Sequence, residues 1–293
     1  MAGTYDRWVR ELPFQKLEMG PMRLNAVMDS AWLGIDAHIS YGTVNMAGRM
    51  GKEPYGPHTH DFDQVLLLAG LDTDDIGELG AEVALCLGEE METHMITTTT
   101  GVAIPAGMPH YPMTVNRLDY PFVFVDVSVA KEYAEKPYET DVKPTPPVDW
   151  NAKHRNQLIN VPFMRKGAWH YGPTNPDDGG GYISFIDFNR AGIDMMIIYE
   201  SMRRGPYRIC PNPEKPHAHA TTQVMCFVGT DPDDMGDLGA EFEICMGKEL
   251  EKHTFDRSTA VITEPYVPHW PGGVVTLDEP MVMCDIHPFG NNA

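Results

Sequence analysis

Basic residues are scarce in this chain. Its 293 residues include 22 Lys+Arg against 42 Asp+Glu, a formal net charge of −20. So acidic a surface argues against non-specific nucleic-acid binding, which needs cations to displace counterions, and against docking on anionic lipid. Long hydrophobic runs are also missing. The longest, such as Val65 to Leu68 and Met195 to Tyr199, fall far short of the roughly 20 residues of a membrane helix. The charged stretch Met1 to Pro13 has no apolar core of the kind a signal peptide carries. Cysteine is sparse and unpatterned: Cys86, Cys210, Cys226, Cys245 and Cys284 form no CxxC pair. Reduced thiols in a cytoplasmic protein are the expectation. Helical periodicity is scarce too, with short helices expected only at Ala2 to Leu12 and Lys131 to Lys136.

What is present is an internal repeat. His58–Gly70 (HTHDFDQVLLLAG) returns as His217–Gly229 (HAHATTQVMCFVG), and Pro109-His110 returns as Pro268-His269, each offset by 159 without a gap. Between 58 and 110, 22 of 53 positions are identical to their partners. The period is far too long for a solenoid, so it implies two copies of one domain. The expected layout is an arm (1–21), a first domain (22–140), a Pro-rich linker and connecting segment (141–179, containing Lys143-Pro144-Thr145-Pro146-Pro147) and a second domain (180–293). Gly179-Gly180-Gly181 gives a second flexible point.

The local pattern is β. Val83, Leu85 and Leu87 alternate with Glu82, Ala84 and Cys86, and Phe242, Ile244 and Met246 do the same in the second copy, a period of two. Gly and Pro punctuate the short runs, as in a sandwich or barrel. His58, His60 and Gln64 share an even spacing that projects them from one strand face, and a returning strand can bring His110 opposite. Three imidazoles and an amide oxygen converging on one point suit a divalent transition metal. The second copy supplies His217, His219, Gln223 and His269.

These residues resemble the cupin motifs. Pro57-His58-Thr59-His60, Gln64 and Gly70 match the first motif, and Pro105-Ala106-Gly107-Met108-Pro109-His110 matches the second, PxGxxH. In the second copy that motif is reduced to Pro265-Tyr266-Val267-Pro268-His269. HxH alone is a weak signal, but HxHxxxQ followed by the second motif, twice, is a strong one. The resemblance implies an all-β bicupin: two tandem double-stranded β-helix, or jelly-roll, barrels with a few short helices. It also implies one divalent metal per domain, with Fe2+ expected first and Mn2+, Zn2+ or Ni2+ as alternatives, and no organic cofactor. Cupins often pair through edge strands, which leaves a homo-oligomer open.

Many cupins carry Glu where this chain has Gln. Gln cannot titrate and neutralises none of the metal charge, so the site favours a small anionic or enolisable substrate. A proton-transfer group must then come from elsewhere. His94 and His253, each spaced to share one strand face with acidic residues (Glu90 and Glu92; Glu249 and Glu251), are candidates, weighed against a polar outer face or a salt-bridged contact between barrels. Arg49 and Arg208, matched at the same offset, are candidates to hold a substrate carboxylate, weighed against simple neutralisation of acids. Tyr111 and Trp270 directly follow the last metal histidines and can wall the pockets. His38, His154, His170 and His287 read as structural or surface residues. The acidic loop Asp72 to Gly77 and its twin Asp231 to Gly236 read as Asp-capped turns, because Ile76 and Val83 occupy positions where an EF-hand needs oxygen ligands.

Three functions compete. One is an Fe(II)-dependent dioxygenase or related oxidoreductase, favoured slightly on family frequency. The second is a non-redox lyase, isomerase or decarboxylase using a Lewis-acid metal. The third is a metal-dependent binding or storage protein.

Overall fold

The computed structural model describes residues 3–18, 20–51, 56–161, 163–165, 181–209 and 216–288. His170, Cys210 and the glycines 179–180 lie outside the described residues. Among the described residues the regular structure is almost all antiparallel strand, and the chain divides into two compact units, each a pair of packed sheets. Among the described residues, no helix is long and apolar enough to cross a membrane.

In the N-terminal unit one sheet runs in the order Leu158–Asn160, Thr100–Ile104, Gln64–Gly70, Phe122–Ser128, His38–Val44, Met22–Met28, Phe14–Lys16. The facing sheet runs Lys136–Pro137, His58–Thr59, His110–Leu118, Glu78–Leu87, Glu92–Thr98, with Gly48–Met50 also paired to His110–Leu118. The expected alternation is realised: Val83, Leu85 and Leu87 point into a core with Leu66, Leu68, Val102, Ile104 and Phe124. Gln64–Gly70 has strands on both sides and its seven residues are all buried, which is why it reads as a continuous apolar run.

The C-terminal unit repeats the plan. Its first sheet is ordered Val9–Glu11, Thr259–Thr263, Gln223–Gly229, Met281–His287, Met196–Met202, Tyr182–Asp187, Met164–Arg165, and its second Tyr207–Ile209, His269–Leu277, Asp237–Met246, Glu251–Arg257. Phe242, Ile244 and Met246 pack with Phe227, Val261 and Met283.

The units interleave along the chain. Residues 1–12, expected in a free arm, group with the C-terminal unit, while 13–161 and 188–193 form the N-terminal one. Much of the expected linker therefore belongs to the first barrel, where Leu158–Asn160 pairs with Thr100–Ile104. The matching strand of the second barrel is Val9–Glu11, paired with Thr259–Thr263.

Both expected helices are corrected. Of the helix expected over Ala2 to Leu12, the described residues 3–12 make only a 3-10 turn, Asp6–Trp8, before that strand. Residues 131–136 bend and end in the strand Lys136–Pro137, which pairs with His58–Thr59. An open sheet edge rewards each added residue with ladder bonds, whereas a short helix must first form a costly nucleus.

Candidate metal centres

Donor atoms of His58, His60 and His110 lie within 4.8 Å of one another, and the ring centroids are 4.3 to 5.0 Å apart. His58 and His110 are directly opposite on neighbouring strands. The single-strand expectation for His58, His60 and Gln64 is corrected. His58 sits on the strand His58–Thr59 and Gln64 opens Gln64–Gly70 in the other sheet. The chain turns a corner between them, so the donors converge from two sheets.

That corner is held by the second motif. Gly107 has φ 81° and donates its N–H to the His60 carbonyl at 2.7 Å. In the C-terminal unit Tyr266 stands in the glycine's place at φ 64° and donates to the His219 carbonyl at 2.7 Å. The degraded motif thus keeps its turn, at a strain of about 1 kcal/mol. Immediately after each last histidine a register shift forms a bulge, and the aromatic residue there takes positive φ, 71° at Tyr111 and 68° at Trp270. A bulge re-aims a side chain: the Tyr111 ring lies 4.9 Å from the His58 ring.

The donor set fits a metal. His60 Nδ1–H donates to the Ala134 carbonyl and His110 Nδ1–H to that of Met108, both at 3.0 Å. These bonds fix the tautomer and leave each Nε2 lone pair free to bind. His58 Nε2, His60 Nε2, His110 Nε2 and Gln64 Oε1 are all buried with no hydrogen-bond partner. Four orphaned acceptors at one point would each cost about 1–3 kcal/mol unless a ligand satisfies them. Burial lowers the pKa of His58 and His60 and brings His110 down to about 3, so all three imidazoles present as neutral ligands.

The Gln64 amide is oriented by a residue the sequence reading passed over. Its Nε2 donates to both carboxylate oxygens of Asp126, at 3.0 and 2.9 Å, which turns Oε1 towards the imidazoles. Burial raises Asp126 to about 7, against the opposing hydrogen bonds from Gln64 and Ser128. Above the centre, the Tyr133 ring is 5.2 Å from that of His60 and 5.8 Å from that of Phe62. The Tyr133 hydroxyl donates to Glu135 at 3.1 Å. The exposed Glu135 carboxylate acts electrostatically on His58, His60 and Asp126. The available signal for Asp126 was a lone acid inside an apolar strand in both copies, at Asp126 and Asp285. For Tyr133 and Glu135 there was none.

The C-terminal centre is similar but not identical. His217, His219 and His269 converge, with ring centroids 4.7 to 5.2 Å apart. Burial lowers His269 to about 4. Gln223 Nε2 donates to Asp285 at 2.6 Å, but Gln223 Oε1 accepts from Thr263 Oγ1 at 3.4 Å. Thr263 replaces Ile104. His287, read as structural, replaces Ser128 and lies in the site. Its ring is 5.3 Å from that of His219 and its Nε2 is 3.6 Å from Asp285.

The remaining candidates sit elsewhere. Arg49 is exposed on Gly48–Met50, whose neighbour Met50 is the one that enters the core. Arg208 is exposed and pairs with Glu243 at 3.2 Å. His94 is buried beside Glu92, lining a cavity with Val148, Arg155 and Asn160, apart from the histidine cluster. Glu90 lies in the preceding turn, outside the strand face expected for it, and binds Lys153 and His154. His253 groups with Asp6 and Glu251. The resemblance locates metal quartets but carries no signal for these neighbours. Asp74 N–H donates to Asp72 Oδ1 and Asp233 N–H to Asp231 Oδ1, both at 2.9 Å, as in Asp-capped turns.

Solved structures with a similar fold include oxalate decarboxylases. One, from work on their substrate binding mode and a reaction-specificity switch, has TM-score 0.61 and 10% identity over 100% of this chain and 80% of its own. A second, from Lactobacillus farciminis in complex with formate, has TM-score 0.61 and 9% identity over 98% and 88%. A third, from Bacillus subtilis and studied for its Mn(II) centres, has TM-score 0.59 and 10% identity over 100% and 80%. The chain has the bicupin fold. No family model matches it, and no curated protein sequence does.

Proposed function

We propose that this bicupin is a metal-dependent enzyme of the non-redox class, a decarboxylase or related lyase acting on a small carboxylate-bearing or enolisable molecule. The observation that carries the metal is the set of four buried, unpartnered donors: His58, His60 and His110 Nε2 with Gln64 Oε1. Its counterpart centre is His217, His219, His269 and Gln223. The fold is shared with decarboxylases, and the metal named for one of them is Mn(II). Both favour the lyase reading over the oxygenase expectation, and Mn2+ over Fe2+.

A divalent ion held by these side chains supplies Lewis-acid polarisation of a bound carboxylate or carbonyl. The protein does the rest. Gln64 and the imidazoles leave the ion's charge intact, so an anion is drawn to it. Phe62, Tyr111 and Tyr133 bound the N-terminal site with apolar ring faces that exclude water. Because Gln64 cannot titrate, Glu135 is the group we assign to hold and return a proton, its carboxylate oriented by the Tyr133 hydroxyl. Arg49 and Arg208 take no part.

The test is turnover on a panel of small mono- and dicarboxylic and β-keto acids with Mn2+ restored to the apoprotein. CO2 release without stoichiometric O2 consumption supports the proposal. O2 uptake equal to turnover would restore the oxygenase reading, and ligand binding without turnover would favour a binding protein.

A further inference from the structure

A third group of metal-type donors lies in the C-terminal unit, separate from the histidine cluster. Asp6, Glu251 and His253 place one donor atom each within 4.8 Å of one another. His253 is buried, its side chain only 8% exposed, and its Nε2 has no hydrogen-bond partner. Yet Nε2 lies 3.1 Å from Glu251 Oε1. Two polar atoms that close, without hydrogen-bond geometry between them, are placed as two ligands of one ion are placed. Donors about 2.1 Å from a tetrahedral zinc sit roughly 3.4 Å from each other. Asp6 Oδ1, on a half-exposed side chain, lies 3.5 Å from the other ring nitrogen, His253 Nδ1.

The surroundings are built to present these groups. Glu251 accepts backbone N–H bonds from Thr4 at 2.9 Å and Tyr5 at 3.1 Å, and Asp6 accepts one from Gly3 at 2.6 Å. A Cβ on Gly3 would lie 2.1 Å from Glu251 Oε1. The N-terminal unit provides an internal comparison. There Glu92 accepts from Lys153 N–H at 3.0 Å and His154 N–H at 2.9 Å, and His94 Nε2 is again buried without a partner. The register of the two docked strands places Arg155 where Asp6 stands, each opening its 3-10 turn. A guanidinium in place of a carboxylate removes one ligand and repels a cation.

We propose that Asp6, Glu251 and His253 bind a divalent ion of the Zn2+ type, and that this site fastens residues 3–12 to the C-terminal unit. Two carboxylates match the charge of such an ion, and with one imidazole nitrogen they leave a fourth position for water. The site is structural and independent of the two cupin centres.

The probe is Zn2+ alone, added to the full-length chain. A variant without either histidine cluster (His58→Ala, His110→Ala, His217→Ala, His269→Ala) is expected to keep one zinc per chain and to lose it when Asp6→Asn is added. No zinc in the first variant, or zinc kept in the second, would overturn the proposal. If the fourfold variant does not fold, the wild-type chain is cut with trypsin after Arg7 and Arg10. At zinc ten times its Kd, cleavage is expected to slow about tenfold, and Asp6→Asn to abolish the slowing. Equal protection in both, or none in the wild type, reads instead as an ion-paired His253 and overturns the site.

Discussion

Gln64 and Asp126 form a two-point contact, the amide Nε2 lying 3.0 and 2.9 Å from the two carboxylate oxygens. This explains the amide at a position where many cupins carry Glu. A glutamate would place one carboxylate against another in a buried site, and only a protonated pair would be tolerated. Asp126→Ala is expected to free the amide and lower metal affinity at the N-terminal centre about 10- to 100-fold. Gln64→Glu is expected to weaken binding unless joined to Asp126→Asn, which restores a donor–acceptor pair with the charge exchanged. Calorimetric metal titrations of the three variants decide it. Equal affinities throughout would remove Asp126 from the site.

The two centres are expected to load independently. His58→Ala with His110→Ala should abolish metal at the N-terminal centre and leave the C-terminal one, and His217→Ala with His269→Ala the reverse. Metal content by mass spectrometry, with Mn2+ as the only added ion, measures this. Unchanged stoichiometry in either double variant contradicts the assignment.

Acid should destabilise the metal-free protein for an identifiable reason. Burial lowers His110 to about 3 and His269 to about 4, while the unfolded chain takes up those protons near the ordinary 6.5. The contribution of these two groups is therefore level above that value and falls as pH drops from it towards the folded values, by at most about 1.4 kcal/mol per pH unit for each; Asp126, raised by burial to about 7, takes up its proton first in the folded chain and offsets one of them. Urea midpoints of apoprotein between pH 7 and about pH 4 should decline, and His110→Asn should decline less steeply. Identical slopes would show that His110 does not titrate with unfolding.

The strained turn of the C-terminal centre can be relieved. Tyr266 holds φ 64° where Gly107 holds 81°, and its side chain is 71% exposed, so little packing is lost on truncation. Tyr266→Gly is expected to stabilise by about 1 kcal/mol, and Gly107→Ala to destabilise by about as much. Thermal melts of the two variants should move in opposite directions.

Much of this was legible in residue order. The offset of 159 revealed the duplication, and the alternation at Val83, Leu85 and Leu87 revealed the core-facing side of its strand. The paired motifs picked out the six histidines that converge. The short helix expected at Lys131 to Lys136 failed because the segment's partners, His58–Thr59 and the His60 ring, are distant in sequence. Glu135 went unseen for the same reason, and His287 because the residues it meets across the site, His219 and Thr221, lie on a corner 66 or more residues earlier in the chain. Arg49 looked close to the HxH motif in sequence, yet strand alternation turned it to solvent.

Local periodicity and the repeat are properties of neighbouring residues and of sequence comparison, so the chain alone determined the β class, the two-fold duplication and the donor types. Convergence is a property of sheet pairing and register. Tertiary structure alone decided that Gln64 is turned by Asp126, that residues 3–12 belong to the C-terminal unit, and that His94 and His253 stand apart from the histidine clusters. Each of these rests on contacts between segments many tens of residues apart, which no local pattern encodes.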